Sequence, residues 1–150
     1  MSLHELYQEI IVDHGKSPRH FGDLIGATHS QSGHNPLCGD QLVIYLVERD
    51  GIIHDLKFKG SGCAISVASA SLMIEAMKGK SFVEFTQFFD YFHVLVTKGE
   101  EPNINMGKLL AFSGVAQYPI RVKCATLAWH TLKAALENKN ETVSTEGETR

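Results

Sequence analysis

The chain has 150 residues, the usual size of one domain, and can bury a core without a metal or disulfides to hold it together. A charged fraction of 21% and a net charge of −3 at pH 7 argue against a general nucleic-acid binder or a protein drawn to anionic membranes, since both need a basic excess. The N-terminus lacks a signal-peptide pattern and no apolar run approaches the roughly 18 residues that cross a bilayer, so the sequence reads as cytoplasmic.

Leu3, Leu6, Tyr7, Ile10 and Ile11 recur at helical spacing ahead of Gly15, which predicts an amphipathic helix over residues 3–14. Its Tyr7-Ile10-Ile11 face suits either the core or a docking surface. A loop follows over 17–22, then an alternating polar stretch, 27–33, that reads as a strand. Residues 35–40 form a turn-rich loop. The β-forming run 41–48 predicts a strand, Asp50-Gly51 a tight hairpin, and 52–59 the returning strand. After Gly60-Ser61-Gly62 the period changes, and 64–77 reads as a helix closed by Gly79. Ser81 with Glu84 is a capping box that opens a second helix over 82–96. In it Phe82, Phe85, Phe88, Phe89 and Phe92 make a stripe that suits a core. Residues 97–103 are a loop, 105–115 a short helix or turn, and Pro119 starts a last long helix reaching residue 136. The polar, acidic stretch 138–150 is expected to be disordered, leaving 1–137 as the domain. This order predicts an α+β fold, a small antiparallel sheet of about three strands with helices packed on one face.

The three cysteines lie in Asn35-Pro36-Leu37-Cys38-Gly39-Asp40, Gly60-Ser61-Gly62-Cys63-Ala64 and Arg121-Val122-Lys123-Cys124-Ala125. An odd count in a reducing compartment disfavours a disulfide framework. Cysteine is often just a small buried hydrophobe, and no Cys-x-x-Cys pair is present. Yet all three thiols sit beside glycine, acid or base, settings that suit thiolates. With Asp40 as a fourth donor they make a candidate tetrahedral metal site of sulfur and carboxylate oxygen, the chemistry of zinc. Three thiolates, a carboxylate and a divalent ion sum to about minus two, so compensating donors are needed. Arg121, Lys123 and the starts of the two helices carrying Cys63 and Cys124 are the candidates. Because a carboxylate is a harder ligand than a thiolate, the mixed set is expected to exchange more readily than four cysteines. Among the eight histidines there is no convincing helical His-x-x-x-His pair; His34, four residues before Cys38, is the one that comes nearest to the site in sequence.

These three segments resemble the cysteine motifs of the NifU N-terminal/IscU/SufU family of iron–sulfur cluster assembly proteins, over roughly residues 3–137. Within the family the chain looks SufU-like. IscU-like members carry histidine before the third cysteine, where this chain has Lys123. They also carry a Leu-Pro-Pro-Val-Lys stretch, where it has Gln117-Tyr118-Pro119-Ile120-Arg121. The 61 positions between the second and third cysteines (124 − 63) exceed the IscU-like separation, and residues 82–101 look like part of the SufU-like insertion. The resemblance implies the SufE/NifU-like fold and a zinc-dependent sulfurtransferase that takes persulfide sulfur from a SufS-type cysteine desulfurase. Zinc would be held by Cys38, Asp40, Cys63 and Cys124. Cys38, on the glycine-flanked loop, would be the sulfur acceptor and Arg121 a supporting residue. A SufBCD-type scaffold would lie downstream, and neither nucleic acid nor membrane would be a partner. A second reading of the same residues is a scaffold that assembles a [2Fe–2S] cluster and passes it on, so that an iron–sulfur cluster is held transiently.

Overall fold

The computed structural model describes residues 2–138 and 142–146. Helix α1 spans Leu3–Lys16 and opens on a capping box between Ser2 and Glu5. Strands β1 (His29–Asn35), β2 (Asp40–Arg49) and β3 (Ile52–Ser61) follow as an antiparallel meander. Helices α2 (Ala64–Met77) and α3 (Phe82–Lys98), a 3-10 segment Gly107–Gln117, helix α4 (Pro119–Leu136) and the two-residue strand β4 (Val143–Ser144) complete the order.

The β2–β3 hairpin closes through Asp50 at φ 54° and Gly51 at φ 75°. Two successive left-handed residues match the right-handed twist of the flanking strands. Along β2, Leu42, Ile44 and Leu46 point inward and are buried, while the residues between them are more exposed. That period of two gives the sheet one face for the core. Helices α2 and α4 cover it. Both are rich in small residues, with Ala68, Ser69, Ala70, Ala125 and Ala128 buried. Backbones can therefore approach closely, and Ser69 Oγ donates to the Ala125 carbonyl at 2.6 Å.

Helix α3 brings the aromatic stripe inward. Phe85 and Phe92 are buried, and Trp129 of α4 stacks on Phe92 with centroids 4.4 Å apart. Phe92 also meets Phe112 of the 3-10 segment edge-on at 5.7 Å. Phe82, Phe88 and Phe89 pack against this cluster from its half-buried rim.

Several expectations need correction. Gly15 does not stop α1; it lies inside the helix, and a Cβ there would sit 3.0 Å from Ala64 Cβ, so the position serves a close helix crossing. The first strand runs two residues later than its alternation suggested. The segment read as a short helix or turn is a 3-10 helix. The sheet has four strands, not about three, and is mixed: β4 pairs parallel to β1, in the order β3-β2-β1-β4. That fourth strand comes from the tail expected to be disordered. Tail residues 139–141 and 147–150 lie outside the described residues. The Tyr7-Ile10-Ile11 face is half-buried, with Ile10 and Ile11 packed on the core.

Candidate metal centre

The register of β1 against β2 sets Asn35 opposite Asp40, with the loop 36–39 between them. Cys38 lies half-buried in that loop, where Gly39 takes φ 71° and its neighbours are exposed. The register of β2 against β3 pairs Gln41 with Ser61, which delivers Cys63 next to Asp40. Cys63 is the N-cap residue of α2, although its side chain does not cap the helix. Cys124 sits in the second turn of α4 and is buried.

Three chain segments thereby converge. Ligand atoms of Cys38, Asp40 and Cys124 all lie within 4.8 Å of one another. Cys124 Sγ is 3.1 Å from Cys38 Sγ. Cys63 Sγ falls outside that mutual set but lies 4.0 Å from Asp40 Oδ2. A tetrahedral ion with sulfur ligands at about 2.3 Å and oxygen at about 2.0 Å needs donor atoms roughly 3.5–3.8 Å apart. The observed separations bracket that value, and the set mixes soft and hard donors suited to zinc. The protein therefore has a Cys-Asp-Cys group that could bind a metal, with a third thiol at its edge.

Asp40 is fully buried, which without partners would be costly for a carboxylate. Both its oxygens are satisfied. The Cys63 backbone N–H donates to Oδ1 at 2.8 Å and Asn35 Nδ2 donates to Oδ2 at 2.9 Å. Gly62 makes this approach possible: at φ 154°, an added Cβ would stand 2.2 Å from Asp40 Oδ1.

The thiols titrate as a coupled pair. A hydrogen bond from Cys124 lowers Cys63 to about 7 against the opposing effect of burial, and the backbone N–H groups of Ser66 and Ile65 at the start of α2 add to the lowering. Cys124 is pushed up by the same pairing with Cys63, then by burial and by Cys38.

The charge compensation differs from expectation. Arg121 lays its guanidinium over the Tyr118 ring at 4.5 Å, and Lys123 pairs with Glu146. Cys124 lies beyond the unpaired N–H groups of the first turn of α4. The donors that reach the site are the start of α2, one of the expected candidates, and Asn35, which was not, and whose amide also donates to Cys124 Sγ at 3.4 Å. His34 is not part of the metal-sized group found among the described residues. Asn35 was visible inside the first motif but carried no separate signal. Its contact with Thr145 spans 110 positions and had none at all.

A buried carboxylate and three thiols are thus gathered at one edge of a helix-backed sheet, in a group that could bind a metal. The family model described as NifU-like N terminal domain matches residues 6–125. The chain is 40% identical over 136 residues to the iron-sulfur cluster assembly scaffold protein IscU of Streptococcus pyogenes, covering 90% of this chain and 85% of the relative. It is 42% identical over 135 residues to the protein of that name from Thermotoga maritima, covering 88% and 93%. Against the zinc-dependent sulfurtransferase SufU of Bacillus subtilis it is 37% identical over 133 residues, covering 88% and 90%. A crystal structure of a candidate SUF-system scaffold from Fervidobacterium islandicum AW-1 superposes with a TM-score of 0.81 at 36% identity, covering 90% and 99%. The chain belongs to the NifU N-terminal family, among IscU and SufU homologues of iron–sulfur cluster assembly. Among its described residues no helix is long and apolar enough to cross a membrane.

Proposed function

We propose that this protein is a zinc-dependent sulfurtransferase that accepts persulfide sulfur from a SufS-type cysteine desulfurase. The observation that carries the reading is the position before the third cysteine. It is Lys123, and its ammonium is engaged by Glu146, so among the described residues the donor group is Cys38, Asp40 and Cys124, with Cys63 at its edge and no histidine. The similarity to the Bacillus subtilis sulfurtransferase supports the same reading.

In this reading zinc is held by Cys38, Asp40, Cys63 and Cys124. When bound, it supplies a positive charge that keeps the thiols ionised and the loop 36–39 in place. Cys38 is the acceptor, because it lies within the turn 36–39, whereas Cys63 is the N-cap residue of α2 and Cys124 lies inside α4. Its thiolate attacks the outer sulfur of the donor persulfide. A new S–S bond forms at Cys38, the donor's S–S bond breaks, and the desulfurase cysteine leaves as a thiolate. The exchange is redox-neutral. Arg121, exposed on the first turn of α4 beside Tyr118, is placed to support docking of the desulfurase. Downstream, the sulfur would pass to a SufBCD-type scaffold.

The names of the 40% and 42% identical relatives favour a second reading, a scaffold for a [2Fe–2S] cluster. One experiment separates the two. Zinc-loaded protein is added to a SufS-type desulfurase with cysteine and a reductant, and alanine is measured. A rise in turnover with equimolar zinc is the expected result. Unchanged turnover, with a stable coloured cluster after anaerobic reconstitution, would replace the first reading by the second.

A further inference from the structure

The segment 142–146 ends on the metal centre. Strand β4 pairs with β1 at Gly33 and His34, and the Thr145 N–H donates to the His34 carbonyl at 3.1 Å. Two side chains then reach inward. Thr145 Oγ1 meets Asn35 Oδ1 at 2.9 Å, and Glu146 pairs with Lys123.

The direction of these hydrogen bonds follows from chemistry. An ionised carboxylate only accepts, so the group that Asn35 presents to Asp40 is its NH2. One hydrogen goes to Asp40 Oδ2 and the other to Cys124 Sγ. The amide oxygen then faces Thr145, whose hydroxyl must donate to it. Asn35 is fully buried and joined on every side, so its orientation has no solvent alternative. Its two donated bonds hold the Asp40 carboxylate and the Cys124 sulfur in fixed positions relative to each other.

Strand β4 itself is a weak element. It is two residues long, polar, and half-buried. Pairing this short contributes little on its own, and segments with few buried apolar contacts open at low free-energy cost. The two residues after it, Thr145 and Glu146, contact Asn35, which bonds two candidate ligands, and Lys123, which precedes the cysteine of the third motif.

We propose that residues 142–146 form a strap that latches the metal centre, acting through Asn35 as a positioning residue. The inference rests on the metal-binding reading above. With the strap seated, Thr145 holds the Asn35 amide against Asp40 and Cys124, and Glu146 keeps Lys123 turned to the tail. With the strap released, the amide loses its anchor and the Lys123 ammonium loses its partner. Strap opening thereby couples the C-terminal edge of the sheet to retention of the ion.

The test compares wild type, Thr145→Val and Thr145→Ser, all full length and zinc-loaded. Valine keeps the shape and strand preference and lacks the hydroxyl; serine keeps the hydroxyl. Zinc loss to an excess of chromophoric chelator is timed. In the zinc-free proteins, amide hydrogen exchange of the peptide carrying residues 142–146 is followed by mass spectrometry. Thr145→Val should lose zinc about tenfold faster, the lower end of the effect of outer-shell partners, and residues 142–146 should exchange faster. Thr145→Ser should match wild type on both readouts, with thermal midpoints unchanged throughout. Wild-type behaviour of Thr145→Val in both readouts would overturn the strap while leaving the metal-binding reading intact. A wild-type chain that takes up no zinc, with Asp40→Ala no different, would overturn that reading and the strap with it.

Discussion

The backbone N–H of Cys63 donates to Asp40 Oδ1 at 2.8 Å, joining the second motif to the first across 23 positions. The bond fixes the carboxylate relative to the start of α2 and depends on Gly62, which has no side chain to block the approach.

Gly62→Ala should therefore damage the site from its backbone. A Cβ would lie 2.2 Å from Asp40 Oδ1 and 2.9 Å from Asp40 Cα, so both side chain and strand must shift. The expected cost is about 1–3 kcal/mol, as for overpacking elsewhere. Gly39→Ala is the control. It also has positive φ but meets nothing within 4 Å, and should cost only the left-handed backbone penalty of about 1–2 kcal/mol. Urea melts of the two variants, with zinc content alongside, test the contrast: only Gly62→Ala should lose metal.

Cys38→Ala should abolish sulfur acceptance with little loss of fold. Its side chain is half-buried on a loop, outside the hydrophobic core. After incubation with desulfurase and cysteine, mass spectrometry should find the persulfide on wild type and not on the variant. Persulfide on the variant at wild-type levels would assign the acceptor role to Cys63 or Cys124.

Trp129→Ala should be the more destructive change. Trp129 is 1% exposed and stacks between Phe85, at 6.0 Å, and Phe92, at 4.4 Å. Removing so large a buried ring should cost about 3–5 kcal/mol, read as a fall in the urea midpoint. Its indole N–H has no hydrogen-bond partner among the described residues, so Trp129→Phe should retain most of the stability.

His130 should make the fold acid-sensitive. Burial lowers it from 6.5 to about 4, with smaller contributions from His93 and Lys133. The unfolded chain then binds a proton that the native state refuses. Stability is fully present above about pH 6.5 and falls as pH drops towards 4. The loss should reach about 3 kcal/mol if desolvation is complete, and less to the extent that water screens the ring. Replacing His130 by glutamine should flatten the pH dependence of the urea midpoint across that window.

Local pattern made most elements legible in the sequence. The capping box at Ser81, the Asp50-Gly51 hairpin and Pro119 at a helix start all act over a few residues. The α+β class followed from their order. The site was legible in the three cysteine motifs, since Gly, Asp and Cys at short spacing carry their chemistry with them. How those motifs meet depended on tertiary structure. Strand register set Asn35 opposite Asp40 and brought Ser61 to Gln41, and helix packing turned Cys124 towards Cys38. Arg121 and Lys123 were read as the site's counter-charges because they flank Cys124 in sequence. Adjacent helical residues point in different directions, so Arg121 went to Tyr118 and Lys123 to Glu146. The tail read as disordered because polar residues lack the apolar area to order themselves. What residues 142–146 gained, the open edge of β1 and the Asn35 amide, exists only after the rest has folded. The sequence by itself determined the elements and the donor atoms, through interactions between near neighbours. Only the tertiary structure decided which groups reach those donors and that residues 142–146 meet Asn35 and Lys123, because those contacts join residues up to 110 positions apart.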